Sequence, residues 1–264
     1  MSTPLGLTDR ISPHAAALRS EAIPGREAGR IRATILCPPF IAMALRLQSP
    51  ASADVLARWQ VSVDETSEEP FCFALANTRN WRHGPTPLER LHDYRDVVKW
   101  MERRAILDTA GLAALERQAA AHPRVAAREL AHTIALREDV FRVFSDEAAG
   151  RPPASGALAR LVNRFNDAVA RVVMVPKAGR LRLRLREGEH LLDIVRVQAS
   201  LSAIALLTSG HIERIRECAD DRGCGWLFVD RTRNGSRRFC FANECGNRAR
   251  QAAFRKRQRA AGVV

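Results

Sequence analysis

Four cysteines, Cys218, Cys224, Cys240 and Cys245, crowd 28 residues near the end of this 264-residue chain, spaced C-x5-C-x15-C-x4-C. They are four of only six cysteines in the sequence. Four thiolates form a closed tetrahedral ligand set for a structural zinc ion, with no open position for catalysis. The first pair is spaced more widely than is usual in zinc sites, and two other readings use the same residues: buried or reactive thiols without metal, and an iron–sulfur cluster. The chain shows no basic start followed by an apolar run, so a cytoplasmic, reducing location is expected. There, clustered cysteines are metal ligands rather than disulfides. Cys37 and Cys72 lie far away in sequence and read as small hydrophobes.

The residues between the cysteines favour the metal. "WLFVD" (226–230) and "RRFCF" (237–241) are strand-like, and between them stands Asn234-Gly235, a preferred pair for a tight turn, so a β-hairpin is expected. After Cys245, "GNRARQAAFRKRQRA" has helix-forming composition. Such a unit has little core of its own, and a structural zinc supplies the missing folding energy, on the order of 10–16 kcal/mol in finger peptides.

Charge gathers at the same end. The chain carries a formal net charge of +13. From Arg237 onward there are eight basic residues (Arg237, Arg238, Arg248, Arg250, Arg255, Lys256, Arg257 and Arg259) and one acidic residue, Glu244. This exceeds what a zinc tetrathiolate needs for neutralisation and points to phosphates, with double-stranded DNA as the expected partner. The competing reading is a zinc-dependent interaction module that docks on an acidic protein. Ala249, Ala252 and Ala253 are expected to give the helix a smooth face for packing on the finger. No stretch of 18 apolar residues exists, and no membrane span is expected.

The expected fold class is α+β, mainly α: a helical domain with a small β element, then a small zinc-bound hairpin/helix finger. Residues 1–55, rich in turn formers, read as a poorly ordered extension with a short helix over 38–48. The helical domain is placed at 56–210 and the finger at 211–260. Within the domain, 58–65 and 71–78 read as strands, and helices are expected over 87–107, 112–120, 124–147, 157–173 and 190–210. The first of these begins at Pro87, and Gly210 is the expected C-terminal cap of the last. Leu130, Ile134, Phe141 and Phe144 are expected to form the stripe of the third. Leu158, Leu161, Val162, Phe165, Val169 and Val172 form that of the fourth. "RLRLRL" (180–185) alternates as a half-buried strand and pairs through a turn at 176–179 with the strand before it.

The segment "CGWLFVDRTRNGSRRFC", followed by "CGNR" at 245–248, resembles the CGNR zinc finger of bacterial proteins described as stress-induced transcription regulators. In that family a helical ABATE domain precedes the finger. "FALANTRNW" (73–81) resembles the family's opening segment, with Ala74 where an aspartate is common, and "ASLSAIALLTSG" (199–210) its last core helix. The resemblance implies that Cys218, Cys224, Cys240 and Cys245 hold one structural Zn2+, that the finger binds DNA, and that the helical domain senses an unidentified small-molecule effector. The polar run holding Asn77, Thr78, Trp81 and Arg82 would line a small-ligand pocket, or else cap the next helix. No phosphate loop, nucleophile elbow or metal-binding histidine pair occurs, so no enzymatic activity is expected.

Overall fold

The longest described helix, α4 (Pro123–Ala148), carries ions into the interior. The computed structural model describes residues 69–177, 180–186 and 191–261. The expectations for 1–55, 38–48 and 58–65 fall outside the described residues, as does the centre of the turn at 178–179.

Around α4 stand α1 (Phe71–Ala76), α2 (Tyr94–Arg103), α3 (Thr109–Ala121), α5 (Ser155–Ala170) and α6 (Ile194–Leu207). Three two-stranded antiparallel sheets complete the described fold: β1 (Arg79–Asn80) with β2 (Leu88–Glu89), β3 (Val172–Lys177) with β4 (Arg180–Leu185), and β5 (Ile215–Glu217) with β6 (Leu227–Val229). The final helix, α7 (Asn247–Ala260), follows a π-helical turn over Ala242–Gly246. The fold class is the expected one, α+β and mainly α.

Residues 71–78, expected as a strand, form α1 instead. A short continuous apolar run has no period that separates a buried strand from a buried helix. The helix is stabilised from outside: Cys72 to Ala76 are all buried, and the orphan Cys72 N–H donates to Ser202 Oγ of α6 at 3.2 Å. The helix expected from Pro87 starts only at Tyr94, because Asp93 Oδ1 accepts from the Asp96 N–H at 3.0 Å and caps it there. Leu88 and Glu89 before it pair with Asn80 and Arg79. α6 ends at Leu207 rather than at Gly210: the Thr208 hydroxyl donates to the Ile204 carbonyl at 2.9 Å and the Ser209 hydroxyl to that of Leu206 at 2.8 Å. The β3–β4 hairpin forms as expected, with Val172 opposite Leu185.

Two helical stripes differ from the periodic reading. On α5, Ala157, Leu161 and Ala168 are buried, while Val162 and Val169 are exposed. On α4, Leu130, Ile134 and Phe141 are half-buried, and the innermost face includes Glu129, Thr133, Arg137 and Asp139. Periodicity in apolar residues cannot find a face that carries Glu129, Arg137 and Asp139, whose partners Arg196, Glu89 and Arg160 come from other elements.

Arg137 is the centre of that network. Its side chain is 1 % exposed. Its guanidinium donates to both oxygens of Glu89 at 2.6 and 2.7 Å, to Glu138 Oε1 at 2.8 Å and to Thr78 Oγ1 at 3.3 Å. Glu89 also accepts the N–H groups of Arg90 and Leu91, both at 2.9 Å. This fastens the β1–β2 loop to α4. A buried charge left without its partners is costly, so Arg137→Met should lower the unfolding free energy by about 3–5 kcal/mol in denaturant titration. An unchanged midpoint would show that the network contributes nothing net.

Burial opposes ionisation of Glu89, Glu138 and Asp139, yet hydrogen bonds from Arg137, Arg82, Arg160 and Arg164 hold all three below the ordinary carboxylate range. A depressed folded-state value gives stability that is present above the unfolded value, about 4, and lost as pH falls through the folded one. The melting temperature should therefore fall as pH drops from about 4 toward 2. Asp139→Asn should flatten that fall, and a curve identical to wild type would remove Asp139 from the account.

Candidate metal centre and its basic helix

The strand β6, between the second and third cysteines of the cluster, enters the core of the helices. Ile215, Leu227 and Val229 belong to the same apolar core as α4 and α6. Along the open edge of β6, the Asn77 side chain accepts from the Leu227 N–H at 2.9 Å and donates to the Leu227 carbonyl at 3.0 Å. Asn77 thus replaces a neighbouring strand. The Arg82 and His83 N–H groups donate to the carbonyls of Cys224 and Gly223 at 3.3 and 3.1 Å. Glu217 of β5 meets His83 Nε2 at 2.5 Å and accepts from the Ser145 hydroxyl at 2.6 Å.

The expected hairpin within the finger is replaced by another pairing. "WLFV" pairs with Ile215–Glu217, upstream of Cys218, and not with "RRFCF". The Asn234-Gly235 turn closes an irregular loop instead, which Asp230 organises from within. Its carboxylate, 1 % exposed as a residue, accepts from the Thr232 N–H and hydroxyl at 2.8 and 2.6 Å and from the Arg237 N–H at 2.8 Å. A ladder in the expected register would have to break those three bonds. Asp230 was readable as an Asx-turn residue two places before Thr232, a weaker sign than Asn-Gly.

The four expected ligands converge. The sulfur atoms of Cys218, Cys224, Cys240 and Cys245 all lie within 4.8 Å of one another, and all four residues are buried. The contacts Cys224–Cys240 and Cys240–Cys245 are 3.8 and 3.7 Å. A tetrahedron with Zn–S arms of about 2.3 Å has edges of about 3.8 Å, so the cluster has the dimensions of one zinc ion. Thiols alone are poorly matched to this packing. Hydrogen bonds from its neighbours hold Cys218 down at about 2, while that same thiolate drives Cys240 well above the usual thiol range, and burial does the same for Cys245. Four thiolates this close repel one another, and a divalent ion is what allows all four. The four cysteines fit one structural zinc, whose contribution there is a cross-link between the 218–224 loop and the root of α7. Cys72 is buried elsewhere, in α1; Cys37 lies outside the described residues.

Glycines 223 and 225 flank Cys224 with φ of +85° and +69°, a region that side chains rarely adopt. A Cβ on Gly223 would lie 2.4 Å from the backbone of His83 and Gly84. The sharp knuckle that presents Cys224 is thus also a close backbone approach of finger to helical domain. Trp81 stands on the other side of the cluster with φ of +53°, its ring faced by Arg222 and Arg248 at 5.1 and 5.3 Å. A bulky residue in this region carries backbone strain, held here by the packing of Trp81 on the cysteine cluster.

The eight basic residues divide. Arg248 donates to Asp220 Oδ2 at 3.0 Å and to Cys245 Sγ at 2.8 Å. Arg237 donates to the carbonyls of Phe239 and Cys240 and covers the Phe228 ring. Arg250 reaches the Ala242 carbonyl at 3.2 Å. These three build the finger. Arg238 lies over the Phe239 ring, and Arg255, Lys256, Arg257 and Arg259 have no carboxylate or carbonyl partner among the described residues. The alanine face of α7 does not pack: Ala252 and Ala253 are exposed, and the helix has no buried residue at all.

Of the four residues expected to line a small-ligand pocket, Asn77 and Thr78 line an open cleft of about 830 Å³ between β1, α2 and Trp226. Trp81 borders the cysteine cluster instead. Arg82 is spent on Glu138 and the Ala76 carbonyl, both at 2.8 Å, and lies over the Phe141 ring at 4.0 Å. No described helix is long and apolar enough to cross a membrane.

Comparison with known families divides the chain at the same place. Residues 69–210 match the ABATE family, described as "Putative stress-induced transcription regulator", and residues 214–258 match the CGNR zinc finger. No curated protein matches the chain.

Because the finger shares its core with the helices, metal loss should be felt beyond it. Purified protein should contain about one zinc per chain, as a four-thiolate site demands. Cys224→Ser should abolish that zinc and also lower the melting temperature of the helical part. Full zinc retention in the variant would reject the ligand set.

Proposed function

Because the chain belongs to the ABATE family and ends in a CGNR zinc finger, we propose that it is a cytoplasmic transcription regulator that binds double-stranded DNA through α7. The observation that carries this reading is the helix itself. Fourteen residues project from the metal centre with no buried side chain, and four cations beyond its first turn have no partner among the described residues. A helix of this length is marginal in water by itself, and one that is polar all round needs a surface to lie on. Phosphates supply it: each guanidinium that meets an oxyanion releases a counterion and gains a charge-assisted bond. The zinc site fixes the root of the helix, so the cations are presented as a rigid row rather than as a tail.

The helical domain acts in this reading as the sensor, and the protein is not an enzyme. Its buried ionisable groups support that view: Arg82 and Arg137 each answer a carboxylate from another part of the fold, and buried Asp139 is answered by Arg160, which is the chemistry of bracing. One observation favours a second reading, a protein partner of acidic character. Phe254 is 55 % exposed on α7 and Phe241 is 45 % exposed at its root, and aromatic residues among cations suit a protein interface.

Salt dependence separates the two. With Arg238, Arg255, Lys256, Arg257 and Arg259 on phosphates, log affinity for a DNA duplex should fall against log salt with a slope of about −4 to −5. The triple variant Arg255→Ala, Arg257→Ala, Arg259→Ala should reduce that slope to about −2. No binding to duplex at low salt would leave the acidic-partner reading in place of DNA.

A further inference from the structure

The cleft of about 830 Å³ beside Asn77 lies between the helical domain and the finger, and its wall has a chemical bias. Asn77 and Thr78 are spent: the Asn77 amide serves Leu227 and Glu69, and the Thr78 hydroxyl donates to the Leu75 carbonyl and accepts from Arg137. Arg104 is paired with Glu69 at 2.7 Å. Asp96 accepts from the His92 N–H at 2.9 Å. Of the groups left over, Asp96 keeps one carboxylate oxygen, and the rest are donors. The Arg90 and Arg103 guanidiniums have no partner among the described residues, and Asn80 uses its oxygen, at 3.3 Å, to hold Trp226 Nε1, which leaves its NH2 free. The Trp226 ring is half-buried and forms part of the same wall.

We propose that this cleft binds a flat organic anion, with a phosphate or carboxylate group on Arg90 and Arg103 and its ring against Trp226. The unpaired cations, Arg90 and Arg103, outnumber the one carboxylate, Asp96, and favour an oxyanion, to which two guanidiniums offer bidentate contacts. The aromatic wall supplies the apolar contact that a bare inorganic ion cannot use. The volume lies within the about 300–1,000 Å³ of small-molecule sites. The cleft also has a route to the finger: Trp226 packs on the cysteine cluster and meets Phe241 edge-on at 5.7 Å, one residue before the turn that leads into α7. The proposal names the ligand class for the sensing half of the function above and rests on that half alone.

The test uses full-length, zinc-loaded protein and four probes: AMP and benzoate as flat anions, adenosine and benzyl alcohol as their neutral counterparts. Tryptophan fluorescence and calorimetry should show at least one anion saturating with Kd below about 1 mM, and its neutral counterpart about tenfold weaker or worse. AMP without benzoate assigns a phosphate, benzoate without AMP a carboxylate. The double variant Arg90→Ala, Arg103→Ala should weaken the anion about tenfold or more while its melting temperature stays unchanged, since both side chains are exposed and unpaired. Failure of both anions, or equal binding by the double variant, overturns the proposal. Duplex binding measured in parallel on the same preparations reports separately on α7, so a dead cleft and a dead finger give different results.

Discussion

The amide of Asn77, hydrogen-bonded both ways to the Leu227 backbone, is the contact on which the union of the two parts depends. Strand β6 has a partner on one side only, and a buried strand edge with unsatisfied N–H and C=O groups is not sustainable. Asn77 matches that edge with one donor and one acceptor, from a helix end that is itself buried. What would otherwise be a finger on a linker becomes a continuation of the core. The short Gly223-to-His83 approach follows, because a chain held at Leu227 must pass the β1 loop within backbone distance.

Electrostatics divides the arginines along the same line. Inside, Arg137 and Arg82 are matched to Glu89 and Glu138, and each removes a cost that burial of the other charge would impose. Around the metal site, Arg248 and Arg237 offset the negative charge of the thiolates by bonding to Cys245 and to the Cys240 carbonyl. Beyond the first turn of α7, Arg255, Lys256, Arg257 and Arg259 stand together without answering anions among the described residues. A net charge of +13 therefore conveys little by itself. Its meaning lies in which cations remain once the fold has used its share.

The metal site is legible in the sequence because its signal is rare residues at close spacing, which needs no knowledge of what surrounds them. The helices over 109–121 and 123–148 are legible because their length exceeds any strand and His122-Pro123 marks the break. What stays hidden is pairing across distance. Nothing local in "WLFVD" says that its partner precedes Cys218, and the Asn-Gly turn points to the wrong neighbour, since Asp230 outbids the hairpin with three hydrogen bonds to the loop. The burial of Arg137 and Asp139 is hidden for the same reason: their partners Glu89 and Arg160 lie far away in the chain. Asn77 and Thr78 are visible as an unusual polar run, but their hydrogen bonds to Leu227 and Arg137, distant in the chain, are not.

Trp226 is where these lines meet. It follows Cys224 by two residues, so the metal ligand fixes its backbone; it holds Asn80 by its indole N–H, so the β1 loop fixes its ring. One face borders the cleft, and its edge meets Phe241 at the root of α7. A ring with both ends constrained cannot move without moving one of its neighbours, because packed interiors respond by discrete shifts rather than by yielding. α7 meets the helical domain at its first turn, where Arg248 faces the Trp81 ring, so its direction is set at that root, by the cysteines on one side and by Trp81, Trp226 and Phe241 on the other. Any change in the cleft that displaces Trp226 therefore acts on α7 by leverage at its base.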